Sequence, residues 1–191
     1  MQSFSLFEAI NGKSGAIQTK PTQEISFTEL IDYYKSDENK ALSLAILNET
    51  NKDKQTILKN KRAYYTPSGT FKTRRNDAIK HHNNIISIDI DNLQSKAEAL
   101  KIKEKLKQHK SILFACLSVR GKGVKALMLV DRTYTAQDQY NQLKNVFKPY
   151  LADFLKIDYS HIDSAQFVLS QPCTLVGMLS FMLMKPQLIY S

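Results

Sequence analysis

In the stretch "IISIDID", Ile85 to Asp91, apolar and polar residues alternate from Ile86 onward. Alternation with a period of two is typical of a strand. It places Asp89 and Asp91 on one face and Ile86, Ile88 and Ile90 on the other. We expect the isoleucines to pack against helices and the two carboxylates to face the open side of a sheet.

The hydrophobic pattern after this strand predicts five further elements. "SKAEALKIKEKLKQ" and "TAQDQYNQLKNVFKPYLADFL" have the apolar spacing of helices, and Ser95 followed by Glu98 indicates a helix start. "SILFACLSV", "VKALMLV" and "AQFVLS" have the composition of strands. The order β-α-β-β-α-β is that of a ferredoxin-like, or RRM-like, palm-type unit, for which we expect the sheet order 4-1-3-2.

The first 84 residues have a less regular pattern. "SFTELIDYYK", which opens with a capping box of Ser26 and Glu29, and "NKALSLAILNE" are predicted helices. The segment from Lys59 to Asn83 is rich in basic, aromatic and turn residues and is expected to be a basic, partly extended surface segment. The sequence therefore predicts an α+β chain in which a smaller mixed α/β unit, residues 1–84, precedes the palm-type unit, residues 85–191, within one domain.

Composition and charge narrow the functional classes. The 191 residues are 42% hydrophobic and 24% charged, which is typical of a globular protein. A formal net charge of +9 favours a polyanionic partner. Cys116 and Cys173 lie in apolar runs without metal-ligand spacing, and neither a signal peptide nor a membrane span is predicted. We therefore expect a cytoplasmic protein with buried, reduced thiols and no membrane partner.

The two carboxylates of "IDID" are the first candidate site. Asp89 and Asp91 would repel each other unless a cation lies between them, and Mg²⁺ or Mn²⁺ characteristically binds carboxylates together with substrate phosphates. A solvated strand end is the simpler alternative, since Asp favours turns. The predicted sheet brings "KIDYSHID" to the same edge, so Asp158 is the first candidate for a third ligand and Asp163 the second.

The segment "SVRGKGVK" combines two glycines with three cations and is the second candidate site. Backbone N–H groups of a Gly-rich turn can contact phosphate oxygens, and nearby cations can neutralise them. A plain basic hairpin is the alternative. The candidate nucleotide-binding residues are Ser118, Arg120, Gly121, Lys122, Gly123 and Lys125.

The segment "FKTRRND" is the candidate nucleic-acid interface. Its cations Lys72, Arg74 and Arg75 lie near aromatic residues, a combination that suits single-stranded nucleic acid. An exposed basic loop is the alternative. The adjacent pair His81 and His82 lacks the alternation that histidine ligands on a strand need, so a surface pair is expected rather than a nickase metal site.

These three motifs, taken in order, resemble the archaeo-eukaryotic primase superfamily, and within it the VirE N-terminal-like primase–polymerase domains. The resemblance runs from about Tyr65 to Pro172. The family's Asp-x-Asp, Ser-x-x-Gly-x-Gly-hydrophobic-Lys and hydrophobic-Asp motifs fall, respectively, on Asp89 and Asp91, on Ser118, Gly121, Gly123 and Lys125, and on Ile157 and Asp158.

The resemblance implies a metal-dependent nucleotidyltransferase, a primase–polymerase that uses Mg²⁺ or Mn²⁺ and nucleoside triphosphates. Asp89, Asp91 and Asp158 would be its catalytic residues. Single-stranded DNA or a primer–template would be its partner, with a helicase domain or protein as a further one, in the replication of a mobile element, plasmid or phage. Relatives carry an arginine where this chain has Gln166. That departure favours the alternative of a non-catalytic single-stranded nucleic-acid-binding module with a degenerate primase fold. A nickase or nuclease is the third hypothesis.

Overall fold

The structure is a computed structural model that describes residues 2–8, 18–130, 136–174 and 181–183. The strands are β1 (Ser3–Phe7), β2 (Gln23–Ser26), β3 (Tyr64–Thr66), β4 (Gly69–Phe71), β5 (Ile79–His82), β6 (Ile85–Ile90), β7 (Ile112–Leu117), β8 (Val124–Leu129), β9 (Cys173–Thr174) and β10 (Phe181–Leu183). The helices are α1 (Phe27–Lys35), α2 (Asp37–Asn48), α3 (Lys52–Asn60), α4 (Lys96–Gln108), α5 (Ala136–Gln142) and α6 (Lys148–Leu155). The chain is therefore a mixed α+β protein, as the sequence predicts.

The sheet that carries the "IDID" strand has the order β10-β7-β8-β6, and its neighbouring strands are antiparallel. The adjacency of β6, β8 and β7 agrees with the 1-3-2 part of the predicted order. The complete order 4-1-3-2 is not confirmed, because the fourth member, β10, pairs with β7 at the opposite edge. Strand β6 is accordingly at the edge of this ladder and not at its centre.

The predicted last strand, "AQFVLS", is wrong. Residues Ser164–Phe167 form a 3-10 helix, and the Asp163 carboxylate accepts a hydrogen bond from the Ala165 amide at its start, 2.8 Å away. A short backbone pairing takes the place of the strand beside β6. The Asp163 amide donates to the Asp89 carbonyl, and the Asp91 amide donates to the His161 carbonyl, each at 2.9 Å. The loop after α6 is thereby fixed to the end of the "IDID" strand.

The two faces of this sheet pack against different layers. The face carrying Ile86, Ile88 and Ile90 packs against α4 and α6, as the alternation predicts. The opposite face packs against the N-terminal unit, where Phe114 and Leu127 join a core with residues of β1, α1 and β3. That face was expected to be open; the structure covers it, and this burial decides the environment of Asp89.

The N-terminal unit is built on a second sheet of order β2-β1-β3-β9, whose last strand comes from the C-terminal part of the chain. Strands β4 and β5 form a separate hairpin. All residues from Tyr64 to Phe71 are buried, so the prediction of a surface segment is wrong for this stretch. Its tyrosines serve the core: Tyr65 is fully buried and its hydroxyl lies 3.1 Å from that of Tyr34.

Local capping signals in the sequence are confirmed in the helices. Ser26 and Glu29 form the predicted capping box of α1, and Ser95 accepts a hydrogen bond from the Glu98 amide at the start of α4. Between α5 and α6 the helix widens to a π-helical turn, Leu143–Phe147, just before Pro149 in the first turn of α6. Within the described ranges no helix has the length and apolar character that crossing a membrane requires.

Candidate active site

The first feature of the candidate site is an ion pair across two strands. Register pairs Asp89 of β6 with Lys125 of β8, and the Lys125 ammonium donates a hydrogen bond to Asp89 Oδ2. The two side chains are only 8% and 17% exposed, respectively. Lys125 therefore lies opposite Asp89 and not beside Asp91, which is two residues farther along the chain, and Val124 stands opposite Ile90 at the strand end.

Asp89 lies in an environment that disfavours its negative charge. Burial raises the pKa of the Asp89 carboxyl; Lys125 lowers this pKa, while Asp91 and, more weakly, Asp163 raise it. The second carboxylate oxygen, Oδ1, is buried and has no hydrogen-bond partner among the described residues. A buried carboxylate oxygen without a donor favours a cation or a proton close to it.

Asp91 lies just beyond the strand and, in contrast to Asp89, is exposed. Its carboxylate contacts the Gly-rich turn, because a Cβ built on Gly123 would be 2.8 Å from Asp91 Oδ1, 2.6 Å from the Ile90 carbonyl and 3.0 Å from Ser118 Oγ. Only a glycine fits this position without displacing one of these atoms. The first and second motifs of the sequence therefore meet at Gly123.

The turn itself is closed by its own backbone. The Ser118 amide donates to the Gly123 carbonyl and the Gly121 amide donates to the Ser118 carbonyl, at 2.8 and 2.9 Å. Gly121 has φ +72°, a left-handed conformation that favours glycine. The Lys122 carbonyl accepts from the Leu93 amide at 3.1 Å, which ties the turn to the segment after Asp91. Arg120 and Lys122 are exposed at its tip.

The structure places the two candidates for a third acid differently. Asp163 is half-buried and is fixed to β6 by the hydrogen bond of its amide to the Asp89 carbonyl. Asp158 is exposed and caps a 3-10 helix, Tyr159–His161, where its Oδ1 accepts hydrogen bonds from the Ser160 amide and hydroxyl. These hydrogen bonds lower the pKa of Asp158. The geometry therefore favours Asp163, the second choice, as the acid nearest to the pair, while a ligand role for either residue stays a prediction.

A cleft of about 440 Å³ opens beside Asp91 and contains residues that the sequence did not single out. Lys148 at the start of α6 is buried, donates to Ser164 Oγ at 3.0 Å and lies 4.0 Å from the centre of the Tyr159 ring. His161 Nδ1 is 2.9 Å from the Asp91 carbonyl, and since a carbonyl only accepts, this nitrogen carries the hydrogen. Only the adjacency of "SHID" to the candidate acid could have indicated His161.

Gln166 occupies a place at the side of the site. Its Oε1 accepts a hydrogen bond from Ser87 Oγ at 2.9 Å, and Ser87 is on the same face of β6 as Asp89. The position at which relatives of the resembled family carry an arginine is thus held by a neutral amide bound to the aspartate strand.

The candidate nucleic-acid residues do not form one free cationic cluster. The Arg75 guanidinium pairs with Asp77 at 2.6 Å, where both side chains are largely exposed. Arg74 is half-buried and lies 5.7 Å from the centre of the Tyr64 ring. Lys72 is exposed at the end of β4. A surface ion pair of this kind is weak and a phosphate can displace it, so the predicted interface stays a prediction.

The residues present could supply a divalent ion with only one or two carboxylate ligands. Within the described parts of the chain, no group of three or more Asp, Glu, His or Cys side chains is arranged to hold a metal ion. Mg²⁺, however, is commonly bound by one or two carboxylates and completes its shell with water and substrate phosphates. Asp89, with its unpartnered Oδ1, and the exposed Asp91 suit that mode.

Comparison with known proteins gives one family and one distant structure. The family described as "BT4734-like, N-terminal domain" matches residues 57–177, which is more than half of the chain and includes every candidate residue named above. No curated protein matches the sequence. Among solved structures, the polymerase domain of Mycobacterium tuberculosis ligase D in complex with DNA is similar with a TM-score of 0.38 and 12% identity, over 63% of this chain. The matched part spans about half, 48%, of that domain.

Proposed function

The chain belongs to the family of BT4734-like N-terminal domains, and we propose that it is a metal-dependent nucleotidyltransferase of the primase–polymerase type that acts on a nucleic-acid template. The observation that carries the proposal is the meeting of two separate motifs at Gly123. There the Asp91 carboxylate lies against the Gly-rich turn. Two residues earlier in the chain, Asp89 accepts a hydrogen bond from the Lys125 ammonium. Carboxylates for a metal and cations for phosphates thus share one strand end, which is what transfer of a nucleotidyl group needs.

Asp89 and Asp91 would hold the divalent ion, and Asp163 or Asp158 would be its third ligand. When bound, Mg²⁺ or Mn²⁺ would lower the pKa of the attacking hydroxyl and stabilise charge on the phosphates. The chain's own part is to position the triphosphate. Ser118 through its hydroxyl, Arg120, Lys122 and Lys125, together with the backbone amides that do not close the turn, would bind its oxygens. The low exposure of Asp89 and Lys125 strengthens the interactions of both charges there.

The nucleotide would also compete for Lys125. In the structure the ammonium donates to Asp89, so a phosphate that used its remaining hydrogens would lie beside a carboxylate of like charge unless another positive charge offset the repulsion. A divalent ion between Asp89 and Asp91 would supply that charge. The proposal therefore couples nucleotide binding to metal binding: each makes the other's site available.

A second function is favoured by one specific observation. Gln166, bound to Ser87, offers a neutral amide where relatives of the resembled superfamily have a cation, which suits a module that binds single-stranded nucleic acid without turnover. The basic residues Lys72, Arg74 and Arg75 would contribute to either function. Template-dependent incorporation and strand binding must therefore be measured separately.

The test is incorporation of labelled nucleotide with Mn²⁺ on a single-stranded DNA template, with and without a primer. The proposal expects metal-dependent product that is lost in Asp91→Asn, a substitution at an exposed position that keeps the side-chain shape. Strand binding without any incorporation, in the parent as in the variant, would instead establish the non-catalytic module.

A further inference from the structure

The turn that carries Arg120 is bound to the N-terminal unit through one buried amide. Gln55 of α3 is 8% exposed, and its Nε2 donates to the carbonyls of Ile46 and Glu49 at 3.0 and 2.8 Å. Carbonyl oxygens only accept, so the NH₂ group of Gln55 must face them and Oε1 must face outward. That oxygen accepts a hydrogen bond from Arg120 Nη2. Arg120 itself is an exposed residue of the turn.

Helix α3 also carries a cation on the same side. Lys59 lies one helical turn after Gln55, and residues four apart share a helix face. Burial of part of the side chain lowers the pKa of Lys59, Arg120 and Arg62 lower it further, and Asp91 raises it. Lys59 is therefore within electrostatic range of both the Gly-rich turn and the candidate carboxylate.

This arrangement leaves an excess of positive charge beside the turn. Lys125 is paired with Asp89, and among the described residues Asp91 is the carboxylate that acts on Lys59. Like charges held together by the fold destabilise the protein unless an anion reduces the repulsion. A chain of phosphates, with several negative oxygens a few ångströms apart, is the ligand class that matches cations spread over a turn and a helix.

We propose that Lys59 is a further phosphate-binding residue of the candidate site, contributed by the N-terminal unit, and that Gln55 is a positioning residue that holds Arg120 toward the same polyphosphate. The inference rests on the proposed function, because it names part of the binding site for the nucleotide's triphosphate. Neither residue belongs to the motifs of the sequence.

The test measures binding of inorganic tripolyphosphate to the full chain by calorimetry at low salt, with no divalent ion. Lys59→Met should weaken binding about tenfold, the effect of one lost charge-assisted contact. Lys54→Met, which removes an equal charge from an exposed position of the same helix, is the matched control and should change affinity less than about twofold. Asp91→Asn should have the opposite sign and tighten metal-free binding.

A double-mutant cycle tests the positioning role. Gln55→Met should weaken tripolyphosphate binding in the parent but have little further effect in an Arg120→Met background, whereas a merely structural residue would weaken both equally. If Gln55→Met fails to fold, Arg120→Met, at an exposed position, still tests whether the guanidinium contributes to tripolyphosphate binding: its affinity should be lower than that of the parent.

Three results would overturn the inference: parent-like affinity of Lys59→Met, an equal loss in Lys54→Met, or no tripolyphosphate binding by the parent chain. None of them decides the proposed function, which depends on metal-dependent incorporation. Conversely, tripolyphosphate binding through Lys59 without any incorporation would keep this inference and refute the enzymatic activity.

Discussion

Breaking the Asp89–Lys125 ion pair should cost stability through the charge that is left behind. Both side chains are largely buried, at 8% and 17% exposure. Removing one partner of a buried pair typically costs about 3–5 kcal/mol, because the other charge loses its compensation. Asp89→Asn keeps an oxygen that can accept from the ammonium, so we expect about 3 kcal/mol for this variant and a similar loss for Lys125→Met.

The double variant, Asp89→Asn with Lys125→Met, contains no uncompensated charge and should lose only about 1–2 kcal/mol. Urea unfolding of the four proteins at pH 7 gives the coupling energy, which we expect to exceed about 2 kcal/mol in favour of the pair. Single losses below about 1 kcal/mol that simply add in the double variant would refute the reasoning. They would mean that water reaches the pair and screens it.

The stability that Lys125→Met loses relative to the parent should depend on pH in a defined direction. Burial raises the pKa of Asp89 above its unfolded value, and removal of the lysine takes away the influence that lowers it. A raised pKa in the folded state contributes stability below the unfolded pKa, and this contribution is lost as pH rises through the folded pKa. The variant should therefore be closest to the parent in acid and fall behind it as the pH rises.

The Gly-rich turn, a buried thiol and the basic segment each allow a direct measurement. Gly123→Ala should lose about 1–3 kcal/mol in thermal or urea unfolding and weaken Mn²⁺–nucleotide binding, since its Cβ would overlap a carbonyl and a carboxylate; unchanged binding would contradict the site's geometry. Burial raises the pKa of Cys116 to about 12, so its thiol stays protonated at pH 8 and should react with a thiol reagent only after unfolding; rapid labelling in native buffer would contradict this. Replacing Lys72, Arg74 and Arg75 by Ala should reduce the salt slope of single-strand binding by about 0.7 per lost phosphate contact, and an unchanged slope would assign them to a solvated loop.

The elements that could be predicted from the sequence are those governed by local rules. Alternation identified the face of β6 that packs on helices, and Ser26 and Ser95 marked helix starts because a hydroxyl satisfies backbone amides within three residues. The adjacency of β6, β8 and β7 followed from handed connections between neighbouring elements. Each of these features follows from a short local pattern or from the connections between neighbouring elements.

The sequence predictions that were wrong involve local hydrogen bonds that compete with a strand, and the register between strands. "AQFVLS" is a short apolar run, which periodicity alone cannot assign, and the Asp163 carboxylate bonds its own backbone two residues later and begins a 3-10 helix instead of a strand. Period two indicates that Asp89 shares a face with Asp91, but the residue that opposes it depends on the register with β8, which the turn fixes. The two carboxylates were expected to repel each other, but in the structure Asp89 is paired with Lys125.

Burial of the aspartate face could not be predicted either. Phe114 and Leu127 on that face looked like ordinary strand residues, and their partners in β1 and α1 are far away in the sequence. The contact of Gln55 with Arg120 is of the same kind, separated by 65 residues, and no pattern in the sequence connects them. The N-terminal unit thus shapes the candidate site through contacts that only the folded chain brings together.

The most direct test of the central claim is calorimetric binding of Mn²⁺ with a nucleoside triphosphate to the parent and to Asp91→Asn, Asp163→Asn and Asp158→Asn. Each substitution keeps the shape of the side chain and is at a position that is exposed or half-buried. We expect metal-dependent binding by the parent, its loss in Asp91→Asn and a clear weakening in Asp163→Asn. The effect of Asp158→Asn should be smaller, because Asp158 is exposed whereas the Asp163 amide is hydrogen-bonded to the Asp89 carbonyl. Binding by Asp91→Asn with the affinity and metal dependence of the parent would contradict a metal–nucleotide site at the end of this strand.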